Sequence, residues 1–165
     1  MAVLSPFRAT TLEEAVHGEL IVFPDDRGGE LAIKCGSDDY DYSYLAVLRS
    51  VESSSPYMTK VTGDAECLSY GVNWLIEIDR LSSFPRSLDV YETPGSIHIT
   101  KDGTCMRLAG DIRAGFSGGW LDLVENKPTR APHDSYATNK WRLWLDAKDR
   151  DNPRAEPLLV FPPVK

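Results

Sequence analysis

The sequence is poor in cysteine, and the three it has, Cys35, Cys67 and Cys105, stand 32 and 38 residues apart. An odd, widely spaced set builds no disulfide framework, and without a C-x-x-C pair it offers no zinc or thiol-redox motif. Long hydrophobic runs are missing as well. Stretches such as Leu20-Ile21-Val22-Phe23 stop at four residues, where a membrane span needs about 20. The first ten residues hold no basic segment followed by an apolar core, so no signal peptide is expected. Free thiols suit a reducing compartment, and these absences together point to the cytoplasm and away from membranes.

Phosphate-binding signatures are absent too. Neither a G-x-x-x-x-G-K-[ST] loop nor a G-x-G-x-x-G helix opening occurs, so no nucleotide cofactor is implied. Positive charge is in deficit, with 18 Lys and Arg against 25 Asp and Glu and a net charge of −7. A surface of that sign repels phosphate backbones, which argues against nucleic acid and suits a partner with a basic face.

What remains is ordinary globular material. At 165 residues, 42% hydrophobic and 26% charged, the chain matches one domain, 1–165, able to bury a core without staples. The one helix signal is Thr11-Leu12-Glu13-Glu14-Ala15-Val16-His17-Gly18, where Thr11 and Glu14 have capping-box spacing and Gly18 is a natural stop. Strand signals dominate thereafter. Residues 18–24 and 30–35 flank Asp25-Asp26-Arg27-Gly28-Gly29 and read as a hairpin. Further strands are expected at 42–51, 57–62, 71–79, 88–92, 120–125, 141–146 and 158–161. In 71–79, Val72, Trp74, Ile76 and Ile78 share one face. Pro157, Pro162 and Pro163 mark 158–161 as an edge strand. Asp102-Gly103 calls for a two-residue turn that sets Ile99 opposite Met106, His98 opposite Arg107 and Ile97 opposite Leu108, leaving His98 on the open, polar face. The expected fold is therefore mainly β, an antiparallel β-sandwich or partly closed barrel with one short N-terminal helix, with α+β as the alternative. Residues 110–119 and 127–139 read as the long irregular connections.

Few residue sets carry chemistry. Gly115-Phe116-Ser117-Gly118-Gly119 resembles the Gly-x-Ser-Gly-Gly nucleophile loop of chymotrypsin-like serine proteases over five residues, but Phe116 and Trp120 stand where that family has Asp and Pro. The bland reading, a glycine-rich connection, is preferred, and no catalytic residue is assigned. His133, beside Asp134, forms a catalytic group only if Cys67 comes to it. Asp38-Asp39-Tyr40-Asp41 and the group Asp146, Asp149, Asp151 and Asn152 gather oxygens, but Pro153, Arg154 and Val160 break a calcium-loop pattern begun at Asp149. No metal site and no cofactor are assigned.

Aromatics offer more. Tyr40, Tyr42 and Tyr44 share one face of a strand whose later part, Leu45 to Leu48, reads as buried on both sides. Tyrosine joins apolar area to a hydrogen-bonding tip, which interfaces favour. Trp144 breaks the Trp141, Leu143, Leu145 pattern and is either covered by a second layer or exposed as an anchor. The expectation is a non-catalytic acidic module binding a protein with a basic surface, as inhibitors or immunity-type proteins do, through Tyr40, Tyr42, Tyr44, Asp39, Asp41 and Trp144. The rival is a small-ligand binder or hydrolase with a pocket between loops 110–119 and 127–139, built on His133, Asp134 and Ser117.

Overall fold

The computed structural model describes residues 7–24, 29–38, 40–79, 92–111 and 113–163. Strands run β1 (Arg8–Thr11), β2 (Leu20–Phe23), β3 (Glu30–Ser37), β4 (Tyr42–Arg49), β5 (Tyr57–Thr62), β6 (Glu66–Gly71), β7 (Leu75–Ile78), β8 (Ile97–Ile99), β9 (Thr104–Gly110), β10 (Gly119–Asp122), β11 (Lys127–Thr129), β12 (Tyr136–Thr138), β13 (Trp141–Trp144) and β14 (Leu159–Phe161), with a short helix α1 (Ala147–Asp151). The mainly β expectation holds. An 11-stranded sheet follows the path β1-β6-β2-β3-β4-β5-β9-β10-β11, with β8 and β12 attached at β9, and β14-β13-β7 form a 3-stranded sheet. The large sheet curls enough for β11 to approach β3, yet the described strands close no barrel. One pair is parallel: Tyr57 and Met58 of β5 align with Ala109 and Gly110 of β9.

Period-2 patterning explains the layers. In β4, Ala46 and Leu48 enter the main core with Leu20, Leu31 and Ile33, where Trp141, Leu143 and Phe161 of the small sheet also pack. Leu45 and Val47 point the other way, into a second core with Ile21, Ala32, Cys67, Leu12 and Ala15. The centre of the large sheet is thus buried on both faces, as the sequence of β4 implied, and each fully buried Leu, Ile or Val contributes about 1.5–3 kcal/mol by leaving water.

The second core is roofed by residues 11–18, and here the helix expectation is corrected. The segment forms turns, and the short helix of the described residues lies at 147–151 instead. Thr11 Oγ1 does accept from the Glu14 N–H at 3.4 Å, and Ala15 N–H reaches Thr11 O at 3.0 Å. But Leu12 and Glu13 donate to Ala65 O and Gly63 O of the neighbouring turn, and Gly18 at φ +83° ends the segment. A single helical turn does not repay the nucleation cost, and past it the Gly18 N–H donates to Lys34 O rather than back along the segment. Buried Lys34, on β3 below, donates its ammonium to Leu12 O and Ala15 O.

The hairpin register is also corrected. Ile97 pairs with Met106, His98 with Cys105 and Ile99 with Thr104, a shift of two residues. Thr100 is the cause: its N–H donates to Gly103 O at 2.9 Å, and its hydroxyl accepts from the N–H groups of Asp102 and Gly103, both at 3.1 Å. The loop has four residues, and neither Asp102 nor Gly103 takes the positive φ that a two-residue type I′ turn needs. A shift of two keeps the faces but leaves His98 fully buried, not open. It hydrogen-bonds Ser96 and Ser135, each at 2.9 Å, with its ring edge-on to Trp120. Residues 71–74 lie outside β7, and within 127–139, read as irregular, the chain forms β11 and β12. The strand expected at 88–92 falls, except for Glu92, outside the described residues.

Candidate functional site

Asp38 organises the tyrosine segment. Its Oδ1 accepts from the N–H groups of Tyr40 and Tyr42 at 2.9 and 3.1 Å, and its Oδ2 accepts from the Tyr44 hydroxyl at 3.2 Å. This is an Asx turn that launches β4. Desolvation opposes ionisation of Asp38, but those three donors and the Lys60 charge outweigh it and hold the carboxyl below its ordinary range. Asp41 follows at φ +61°, a left-handed conformation that Asp tolerates.

The turn is tied to two others. Gly63 N–H donates to Asp41 O, and Glu13 N–H donates to Gly63 O, each at 2.7 Å. Three segments far apart in sequence therefore stand side by side at one end of the large sheet, and they carry Glu13, Asp38, Asp41 and Asp64. Among the described residues no ion pair engages Glu13, Asp41 or Asp64. Tyr40 projects here, 81% exposed.

The sequence-expected residues separate at this point. Tyr40 and Asp41 are exposed and adjacent. Tyr42 and Tyr44 are half-buried: Lys60 Nζ lies 5.0 Å from the Tyr42 ring centre, and Tyr44 meets Phe116 edge-on at 5.8 Å. They brace the turn more than they present a surface. Trp144 takes the covered alternative, 7% exposed with its indole N–H on Glu77 Oε2 at 3.0 Å. Asp39 lies outside the described residues. Sequence reasoning missed Glu13 and Asp64. The signals for turns were present in both segments, but nothing local says that the two meet Asp41.

The other constellations disperse. His133 and Asp134 line a cleft of about 930 Å³ with Lys101, Asp122, Arg130 and Tyr136. Its second wall is the 99–105 segment, and neither Ser117 nor Cys67 takes part. Cys67 is buried in the second core. Cys105 borders the cleft, but burial first and then Asp122 push its thiol up to about 11, so it is protonated and a poor nucleophile at neutral pH. Around Ser117 the glycines serve packing: a Cβ on Gly110 would meet Phe116 O and Gly118 N. Asp146 caps α1 by accepting from Lys148 N–H at 2.5 Å. Among the described residues no three His, Cys, Asp or Glu side chains are placed to hold a metal ion, and no helix is long and apolar enough to cross a membrane.

No family model matches the chain, and neither a curated protein nor a solved structure does.

Proposed function

We propose that this chain is a non-catalytic binding module of the cytoplasm that offers its acidic, tyrosine-tipped end to a protein partner with a basic face. The observation that carries the reading is Tyr40, 81% exposed on a turn pinned by Asp38 and by the 62–65 turn. A large exposed aromatic on an ordered turn loses little conformational freedom on binding, and the surrounding carboxylates steer a basic partner toward it. Three buried free thiols support a reducing address. An inhibitor or immunity-type protein, covering a basic functional site on its partner, belongs to this class.

Association kinetics test the reading. Asp41→Lys with Asp64→Lys is expected to slow association about tenfold or more at low salt and to flatten its salt dependence. Tyr40→Ala is expected to act mainly on dissociation. Unchanged rates in the charge-reversed variant would count against it.

The 930 Å³ cleft favours a second reading, small-ligand binding at Lys101, Arg130, His133, Asp134 and Tyr136. Small-molecule binding to the chain that is insensitive to changes at Asp41 and Tyr40, but is lost on Tyr136→Ala, supports this reading over the first.

A further inference from the structure

The cleft of about 930 Å³ lies between two short segments that the fold holds in place. One wall is the loop after β8, where the Thr100 hydroxyl accepts from the Asp102 and Gly103 N–H groups, both at 3.1 Å. The other is the connection from β11 to β12. Pro132 restricts its middle, and Ser135 anchors its end, the hydroxyl 2.9 Å from Nδ1 of buried His98. Tyr136 follows on β12, which pairs with β8 at the margin of the described sheet. It lines the cleft and is 55% exposed.

The lining carries two cations, Lys101 and Arg130, and three carboxylates, Asp102, Asp122 and Asp134. Asp122 is occupied by its own turn, its Oδ1 accepting from the Val124 and Glu125 N–H groups at 2.8 and 2.9 Å. The other four do not satisfy one another. Among the described residues, neither an ion pair nor a hydrogen bond engages the side chains of Lys101, Asp102, Arg130 or Asp134. A ligand that covers them must replace the water they lose, because a charge buried without a partner is costly. That requirement selects the chemistry of the ligand. An apolar molecule supplies no partner, a phosphate-rich one meets the carboxylates, and a polycation meets Lys101 and Arg130. A single zwitterion matches one charge of each sign and leaves the others unmatched. A hydroxyl both donates and accepts, so one kind of group serves all four side chains. His133, which also lines the cleft, offers a donor on one ring nitrogen and an acceptor on the other.

We infer that this cleft binds a neutral oligosaccharide, with one sugar ring laid on Tyr136 and its hydroxyls bonded to Lys101, Asp102, Arg130 and Asp134. The inference rests on the small-ligand reading of the cleft and names its ligand class. The C–H face of a pyranose is apolar and slightly positive, which suits the negative face of an aromatic ring. The cleft is at the upper end of the size range of small-molecule sites, with room for more than one ring. Neither Tyr40 nor Asp41 lines it, so the two surfaces are tested separately.

Four neutral trisaccharides (cellotriose, maltotriose, mannotriose and triacetylchitotriose), triglycine as a zwitterion and tripolyphosphate as an anion separate the classes. Each is titrated into the full chain and followed by amide NMR. At least one trisaccharide is expected to shift the signals of residues 101–104 and 130–136, with an affinity unchanged between about 50 and 500 mM salt. Tyr136→Ala, Arg130→Gln and Asp134→Asn are each expected to weaken it about tenfold. Their thermal unfolding is expected to match that of the native chain, because all three side chains are exposed. Shifts at the cleft with triglycine or tripolyphosphate and with no trisaccharide would overturn the saccharide while keeping a ligand site. Silence from every probe would overturn the saccharide and the small-ligand reading together. Saccharide binding indifferent to Tyr136→Ala would overturn the stacked arrangement.

Discussion

Lys34 carries a charge into a place where sequence patterning expects an apolar side chain. It sits on β3 between Ile33 and Cys35, 5% exposed, and closes the 11–18 turn by donating to two carbonyls. Lys34→Met is expected to destabilise the fold by about 1–3 kcal/mol, the cost of leaving buried acceptors unpaired, with urea unfolding as the measurement. The thiols give a second prediction. Burial pushes Cys35 up to about 12 and, with Asp122, Cys105 up to about 11, from 9.0. It also raises Tyr57 to about 12 from 10.0, with Glu30 and Asp111 adding to the effect. Above pH 9 the unfolded chain releases protons that the folded chain keeps, so stability falls as pH rises from 9 toward 11. Lys34, lowered from 10.5 by desolvation, has the opposite sign: folded, it releases a proton that the unfolded lysine holds. Two thiols and a phenol outweigh one amine, and the urea midpoint is expected to drop between pH 9 and 11, less steeply in Cys35→Ala. A flat profile would contradict these burials. A thiol reagent is expected to leave the native protein unmodified and to titrate all three cysteines in denaturant.

Among the elements, those with strong apolar alternation were legible in the sequence. β2 and β3 pair as the expected hairpin, β5 spans the expected residues, and β14 is the edge strand that its flanking prolines implied. The strands that escaped notice are short or polar. Every residue of β11 is exposed, and the buried positions of β6 are Cys67 and Ser69, so neither announces a hydrophobic face. The 97–108 register failed on a side chain, because Thr100 bonds its own loop and lengthens it. The helix stopped at one turn because the Leu12 and Ala15 carbonyls accept from Lys34 and the Gly18 N–H donates across to Lys34 O. The 115–119 glycines are explained by close approach, since β9 ends at Gly110 with the backbone of residues 116–118 against it. Gly110→Ala is therefore expected to cost about 1–3 kcal/mol through overpacking, read as a lower urea midpoint with an unchanged slope. An unchanged midpoint would mean that the 116–118 backbone moves away freely.

Across the whole molecule, the curl of the sheet decides which residues become neighbours. Tyr40 and Asp41 were legible as a site because they are contiguous and of suggestive chemistry. Glu13 and Asp64 were not, because their approach to Asp41 depends on two backbone hydrogen bonds between three separate turns. His133 and Cys67 were a plausible pair only in a sequence without coordinates; one lines a surface cleft and the other is buried under the 11–18 roof. A net charge of −7 is a property of the entire surface, but it acts through the places where carboxylates outnumber cations and stand beside an exposed aromatic. The end of the sheet carrying Tyr40 is such a place.

The most direct test is affinity capture from native lysate with two baits, the natural chain and a Tyr40→Ala, Asp41→Lys, Asp64→Lys variant, compared by quantitative mass spectrometry at low and high salt. The natural chain is expected to retain a stoichiometric basic protein at low salt, lose it at high salt, and hold it at least about tenfold better than the variant does. Equal retention by the two baits, or capture by neither, would contradict the assignment of this surface.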